Sequence, residues 1–189
     1  PGGTIVRDRE GFPTGILKES AMDLLRTQGA APLSSSETAA HRREVLLGAL
    51  DEARRLGVTS IQHLNGYQDE FARLRDEGLL TARVTFEMEL TGNKASLARY
   101  DSLRAVFPPD NNWIRAGYLK GFIDGTLGSG TALMFEPFSD DPTTSGLPQM
   151  PYEELERLVV EADRRGFQIG IHAIGSRGNH WILDAYEKA

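Results

Sequence analysis

From residue 58 onward the sequence alternates between short apolar runs and longer segments with helical spacing, and it does so four times. The runs at 58–62, 81–90, 114–123 and 167–172 have strand character. Segments with helical spacing follow them at 67–77, 94–106, 152–165 and from 179 to the end. Gly57, Gly78 and Gly166 stand where helices are expected to stop, and Pro108 and Pro109 end another. Strand–helix units in succession leave few ways to bury their apolar faces. A parallel sheet joined by right-handed crossovers is the expected one.

The part before these units reads differently. Residues 2–17 form two short strands around the turn Asp8-Arg9-Glu10-Gly11, and Pro13 and the glycines mark its edges. A short helix is expected over 19–28, followed by a linker of small residues and proline at 30–36. Ser36 reads as the N-cap of a long helix. That helix carries Val45, Leu46, Ala49, Leu50, Ala53 and Leu56 at helical spacing and stops at Gly57. The expected division is a hairpin and linker over 1–35, an insertion segment, and a partial barrel over 36–189.

A chain of 189 residues holds one domain with a sizeable core and is too short for two ordinary ones. A closed (β/α)8 barrel needs eight strand–helix units and about 250 residues. One reading is a small open α/β domain with helices on both faces. The other is the middle of a barrel whose flanking parts lie outside this sequence. The segment 125–151 favours the second, because it is long, rich in Gly, Ser, Thr, Asp and Pro, and directly follows a strand. Such connections are usually binding loops, and in a barrel they build the site at the C-terminal face of the sheet. The expected fold is therefore α/β, part of a (β/α)8 TIM barrel with about four strand–helix units and a small N-terminal β-hairpin insertion.

Charge and composition exclude some classes. A net charge of −6 argues against a nucleic-acid partner, which needs clustered Lys and Arg. No apolar run is long enough to cross a bilayer, and no signal-peptide pattern opens the chain, so no membrane partner is expected. The absence of cysteine removes disulfides and thiolate metal sites and fits a cytoplasmic location.

Few residues carry chemistry. Lys120 sits in an apolar strand beside Leu119, Phe122 and Ile123, where an unpaired ammonium needs solvent, a partner or altered chemistry. His172 ends the run FQIGI and can ligate a metal, act as a base, or simply close a strand. His63 follows another strand and is equally readable as a pocket residue or a loop histidine. Asp124, in an Asp-Gly turn, can supply a carboxylate to the site. Ser129 lies in the glycine-rich GTLGSG segment, which lacks the Lys and Ser/Thr of a phosphate-binding loop. His41 and His180 read as surface residues, His180 opening the last helix. No His-x-His, His-Glu-x-x-His or Gly-x-Ser-x-Gly pattern occurs.

Four segments resemble one family. GFPTGILKE at 11–19, GVTSIQ at 57–62, KGFIDGTLGSGTALMFEPF at 120–138 and IHAIGSRGN at 171–179 are similar to YtcJ-like metal-dependent amidohydrolases. That group includes the N-substituted formamide deformylases. The Lys-x-x-x-Asp-Gly and His-Ala-Ile-Gly segments carry most of the specificity. The resemblance implies a (β/α)8 barrel with one or two divalent metals at its mouth, zinc above all, with iron or manganese as alternatives. Lys120 matches the family's strand lysine, carboxylated and metal-bridging in related members, and His172 matches the first of its later histidines. His63, Asp124 and Ser129 would then line the substrate pocket.

The remaining ligands, a His-x-His pair, a second later histidine and an aspartate, would lie outside this sequence, which therefore reads as a central fragment inactive alone. Ser176 and Gly130 depart from the usual Asp and Arg. The implied reaction is hydrolysis of an amide, formamide or cyclic amide C–N bond of a small molecule by metal-activated water. The alternatives are a non-catalytic binding or assembly module, or an inactive family member. Uncovered sheet edges in a half barrel would favour a homo-oligomer.

Overall fold

The structure, a computed structural model, describes residues 3–26, 35–64 and 66–189. They pack into two compact units. One contains the described residues of 1–30 with 121–189, and the other those of 31–120.

The second unit holds α2 (Ser35–Arg55), β3 (Ser60–His63), α3 (Gln68–Asp76), β4 (Arg83–Glu89), α4 (Lys94–Val106) and most of β5 (Ile114–Phe122). β3 and β4 pair in parallel from Ser60↔Arg83 to His63↔Phe86, and β4 and β5 also run parallel. Val84, Phe86 and Met88 alternate along β4 and are buried, with Phe71, Leu74, Leu97 and Phe107 in the same core set. Gly57 and Gly78 adopt the positive φ that the expected helix stops require, 73° and 72°. Asn93 caps α4, its Oδ1 accepting from Ala95 N at 2.9 Å and Ser96 N at 3.2 Å. That cap contributes about 1 kcal/mol.

Two expectations need correction here. The strand expected at 58–62 is β3, Ser60–His63, because Val58 N still donates to Ala53 O at 2.8 Å as part of the helix end. The buried stripe of α2 is also narrower than its sequence suggests. Leu46 and Leu50, one turn apart, are buried, whereas Val45 and Leu56 are 52% and 62% exposed. The Ser36 side chain and residues 27–34, which hold most of the expected linker, lie outside the described residues.

β5 contains the irregularity that matters most. Phe86 faces Ala116, but Met88 faces Leu119, so β5 carries one residue more than β4 between these pairs. This is a β-bulge at Gly117 and Tyr118. Before it the buried residues are the even-numbered Ile114 and Ala116; after it they are the odd-numbered Leu119 and Gly121. Without the bulge, strict alternation would put Lys120 on the core face.

The first unit begins with the hairpin β1 (Gly3–Arg7) and β2 (Pro13–Glu19), antiparallel from Gly3↔Glu19 to Arg7↔Pro13. Asp8 Oδ1 closes the turn by accepting from Glu10 N at 3.0 Å and Phe12 N at 2.9 Å. A 3-10 turn, Ser20–Met22, and the short α1 (Asp23–Arg26) follow. Later come α5 (Tyr152–Arg164), β6 (Ile169–His172) and α6 (Ser176–Glu187). Ile123, Leu155, Val159 and Ala185 are fully buried together, and Ile169, Ile171, Trp181 and Ile182 pack against them. Ile123 N donates to His172 O at 3.0 Å, joining the end of β5 to β6. Within the second unit the hydrogen-bonded strand order is β3-β4-β5.

α6 starts at Ser176, three residues before the expected 179. Gly175, extended at φ −73° and ψ 151°, is its cap, and Asn179 N closes the first turn on Gly175 O at 2.9 Å. His180 therefore lies within the helix instead of opening it, exposed and 3.3 Å from Asp184. The 125–151 segment is a series of hydrogen-bonded turns, with Met134 N on Ser145 O at 2.7 Å and Gln149 N on Ile123 O at 2.9 Å. Among the described residues no helix is long and apolar enough to cross a membrane.

Candidate active site

Asp124 follows directly from buried Ile123 at the end of β5 and is itself 2% exposed. Its Oδ2 accepts from Leu133 N at 2.8 Å and Gly175 N at 2.7 Å, and its Oδ1 from Ile174 N at 3.0 Å. One carboxylate thus joins the strand end, the long loop and the turn into α6. Charge-assisted bonds of this kind are stronger than neutral ones, and the position at a helix N-terminus adds to them. Gly178 completes the fit, since a Cβ there would stand 2.9 Å from Asp124 Oδ2.

His172 lies against this anchor. Its Nε2 is 2.9 Å from the Gly125 carbonyl and 3.8 Å from Asp124 Oδ1. A carbonyl only accepts, so Nε2 carries the proton and the lone pair of the neutral ring is on Nδ1. Its ring lies 5.5 Å from that of Phe122. Phe122 is 48% exposed, which corrects its place among the buried neighbours of Lys120; Leu119 and Ile123 are at 0%.

Ser129 belongs to a hydroxyl cluster in the same unit. Its Oγ is 2.9 Å from Thr126 Oγ1 and 2.5 Å from Thr131 Oγ1, and its carbonyl accepts from Lys18 Nζ at 2.5 Å. Thr131 Oγ1 donates to Glu19 Oε1 at 2.6 Å. Lys18, Glu19 and Thr131 escaped the sequence reading. The signal for the first two was their place in the 11–19 segment, which marked resemblance without assigning a contact. Of the two departures from the family pattern, Ser176 Oγ accepts from Phe135 N at 3.2 Å, and Gly130 has φ 66°.

In the other unit, Lys120 is half-buried opposite Glu89 in the register. Burial pushes its ammonium pKa down, and the Glu87 carboxylate partly opposes that. Glu87 is only 4% exposed, and its Oε2 accepts no hydrogen bond among the described residues. The hydrogen bond to Glu87, then burial, then the carboxylate charge push the Tyr118 phenol up to about 12. A cavity of about 190 Å3 is lined by Glu87 together with Gln68, Glu89, Arg99 and Tyr100. His63 packs its ring 5.4 Å from Tyr67 and 5.3 Å from Phe71. Buried Glu87 had no sequence signal beyond a charge in an apolar strand.

The structure thus joins Asp124, His172 and Ser129 in one hydrogen-bonded neighbourhood, and groups Lys120 with Glu87 and Tyr118. Among the described residues no three His, Cys, Asp or Glu side chains are arranged to hold a metal ion. His172 nevertheless has the chemistry of a metal ligand: one ring nitrogen held by a backbone carbonyl, the other an open donor.

Parallel strands whose C-terminal ends lead into polar loops form the framework of enzymes that work from βα loops. The amidohydrolase family model Amidohydro_3 matches residues 1–189, and the chain belongs to that family. It is 34% identical to the protein LONG AFTER FAR-RED 3 of Arabidopsis thaliana, over 98% of this chain and 33% of that protein. It is 31% identical to YtcJ of Bacillus subtilis (strain 168), over 99% of this chain and 35% of that protein. The crystal structure of an uncharacterized metal-dependent hydrolase from Pyrococcus horikoshii OT3 superimposes with a TM-score of 0.69 at 28% identity, over 96% of this chain and 36% of that one. The chain spans about a third of the length of the curated relatives it matches.

Proposed function

We propose that this chain is the core segment of a metal-dependent amidohydrolase that hydrolyses the C–N bond of a small amide, formamide or cyclic amide. Its strands would then be half of a (β/α)8 barrel into which the β1–β2 hairpin is inserted. The observation that carries the reading is His172, whose Nε2–H is tied to Gly125 O at 2.9 Å while Nδ1 keeps its lone pair. Family membership and a metal-dependent hydrolase as structural neighbour support it.

His172 and a carboxylated Lys120 are each proposed as ligands for divalent metal, zinc above all, which when bound supplies Lewis-acid polarisation of a carbonyl and activation of water. The chain's own contribution is orientation. Asp124 holds the loop and the α6 turn around His172. Lys120, its ammonium disfavoured by burial, is the side chain for which conversion to a carbamate removes a desolvated cation. His63 and Ser129 are proposed to line the substrate pocket.

Metal analysis of the longest available protein carrying this chain tests the reading. Stoichiometric zinc, iron or manganese is expected, with hydrolysis of N-formyl or cyclic amide substrates lost in Lys120→Ala. Absence of metal from an active preparation would overturn it.

A further inference from the structure

One peptide unit in the loop has both of its polar ends occupied. The Gly125 carbonyl accepts from His172 Nε2 at 2.9 Å, and the N–H of the same peptide, on Thr126, donates to Thr131 Oγ1 at 3.0 Å. A peptide is planar, so holding its N–H sets the direction of its C=O. The Thr131 hydroxyl donates in turn to Glu19 Oε1 at 2.6 Å. Glu19 ends β2 at φ 53° and ψ −132°, a region a side-chain-bearing residue rarely occupies. Such backbone persists where surrounding contacts over-determine it, and it clusters at functional sites. Gly125 is the residue that admits this convergence, since a Cβ on it would overlap both Thr131 Oγ1 and Glu19 Oε1.

We propose that Glu19 and Thr131 are positioning residues for His172, acting through the 125–126 peptide to hold the proton on Nε2 and leave Nδ1 as the donor nitrogen. The use made of that nitrogen rests on the reading of His172 as a metal ligand; the relay itself does not. Lys18 provides an internal control. It lies on the same strand and grips the same loop at Ser129 O, at 2.5 Å, but it is not a member of the relay.

Long-range 1H–15N spectra of the metal-free full chain read the tautomer directly. Wild type is expected to show His172 as the Nε2–H form. Thr131→Val, which keeps the shape and removes the hydroxyl, loses that preference, and so does Glu19→Ala. Thr131→Ser, Glu19→Gln and Lys18→Ala retain it. The two disruptive variants break the relay at different points, so either carries the test if the other does not fold. In zinc titrations against a chelator, Thr131→Val and Glu19→Ala bind about tenfold more weakly, the loss typical of residues that orient a ligand. An Nδ1–H form in wild type, an unchanged tautomer in both disruptive variants, or an equal change in Lys18→Ala overturns the proposal. Unchanged zinc affinity in His172→Ala removes the metal-ligand reading and leaves the tautomer result to decide the relay.

Discussion

His172 gives its Nε2–H to the Gly125 carbonyl 2.9 Å away, and this bond joins the end of β6 to the loop that follows β5. Both elements leave the sheet at the same end, so the ring is held by backbone and its second nitrogen stays open. Replacing His172 by Gln removes that nitrogen donor while keeping a polar side chain. Zinc affinity is expected to fall at least tenfold in chelator competition, with the circular dichroism spectrum unchanged.

Asp124 is the structural counterpart of His172. Asp124→Asn keeps the size but offers a donor where three backbone N–H groups converge. Leaving a buried donor unpaired costs about 1–3 kcal/mol. Urea unfolding should show a loss of about 2 kcal/mol or more; a loss below about 0.5 kcal/mol would contradict the anchor role.

Two helical glycines give opposite predictions. Gly48 in α2 has nothing within 4 Å of an added Cβ, so Gly48→Ala should stabilise by about 0.5–1 kcal/mol through helix propensity. Gly178 in α6 is also helical, but a Cβ would meet Asp124 Oδ2 at 2.9 Å and Ile123 Cγ2 at 3.3 Å. Both neighbours are buried and tied down, so Gly178→Ala should destabilise. Thermal melts of the pair measure the sign.

Tyr118 and Glu87 set an alkaline signature. A folded phenol pushed up to about 12 from an unfolded value of 10.0 stabilises the fold fully below pH 10. That contribution is lost as pH rises through 12. Spectrophotometric titration should show a tyrosine ionising near pH 12, and Tyr118→Phe should remove that component. Lys120 works in the opposite sense. Its lowered folded pKa means that its unfavourable burial fades as pH rises towards the unfolded value of 10.5.

The order of elements was legible in the sequence because it depends on local rules. Helix stops at Gly57, Gly78 and Gly166 have φ of 73°, 72° and 70°. α4 has the expected bounds, Lys94–Val106, between Asn93 and Pro108. The hairpin follows from Asp8 and its turn. Family membership was legible as well, through the segments around Lys120 and His172. Lys120 itself was recognisable as a charge in an apolar strand, but its resolution was not. The β5 bulge changes which residues face the core, and a bulge depends on pairing with β4, not on the residues of β5 alone.

The same distinction holds for the site. The sequence by itself determined that His172 and Asp124 end adjacent strand-like runs and that a long polar loop lies between them. Only the tertiary structure decided that Asp124 is a buried anchor for three backbone N–H groups, and that Glu19, more than a hundred residues away along the chain, reaches Thr131. Propensity and periodicity act over a few neighbours, whereas a hydrogen bond between distant segments exists only once packing has brought them together. For that reason His172 was readable in the sequence as a proposed ligand, and the groups that hydrogen-bond the loop around it were not.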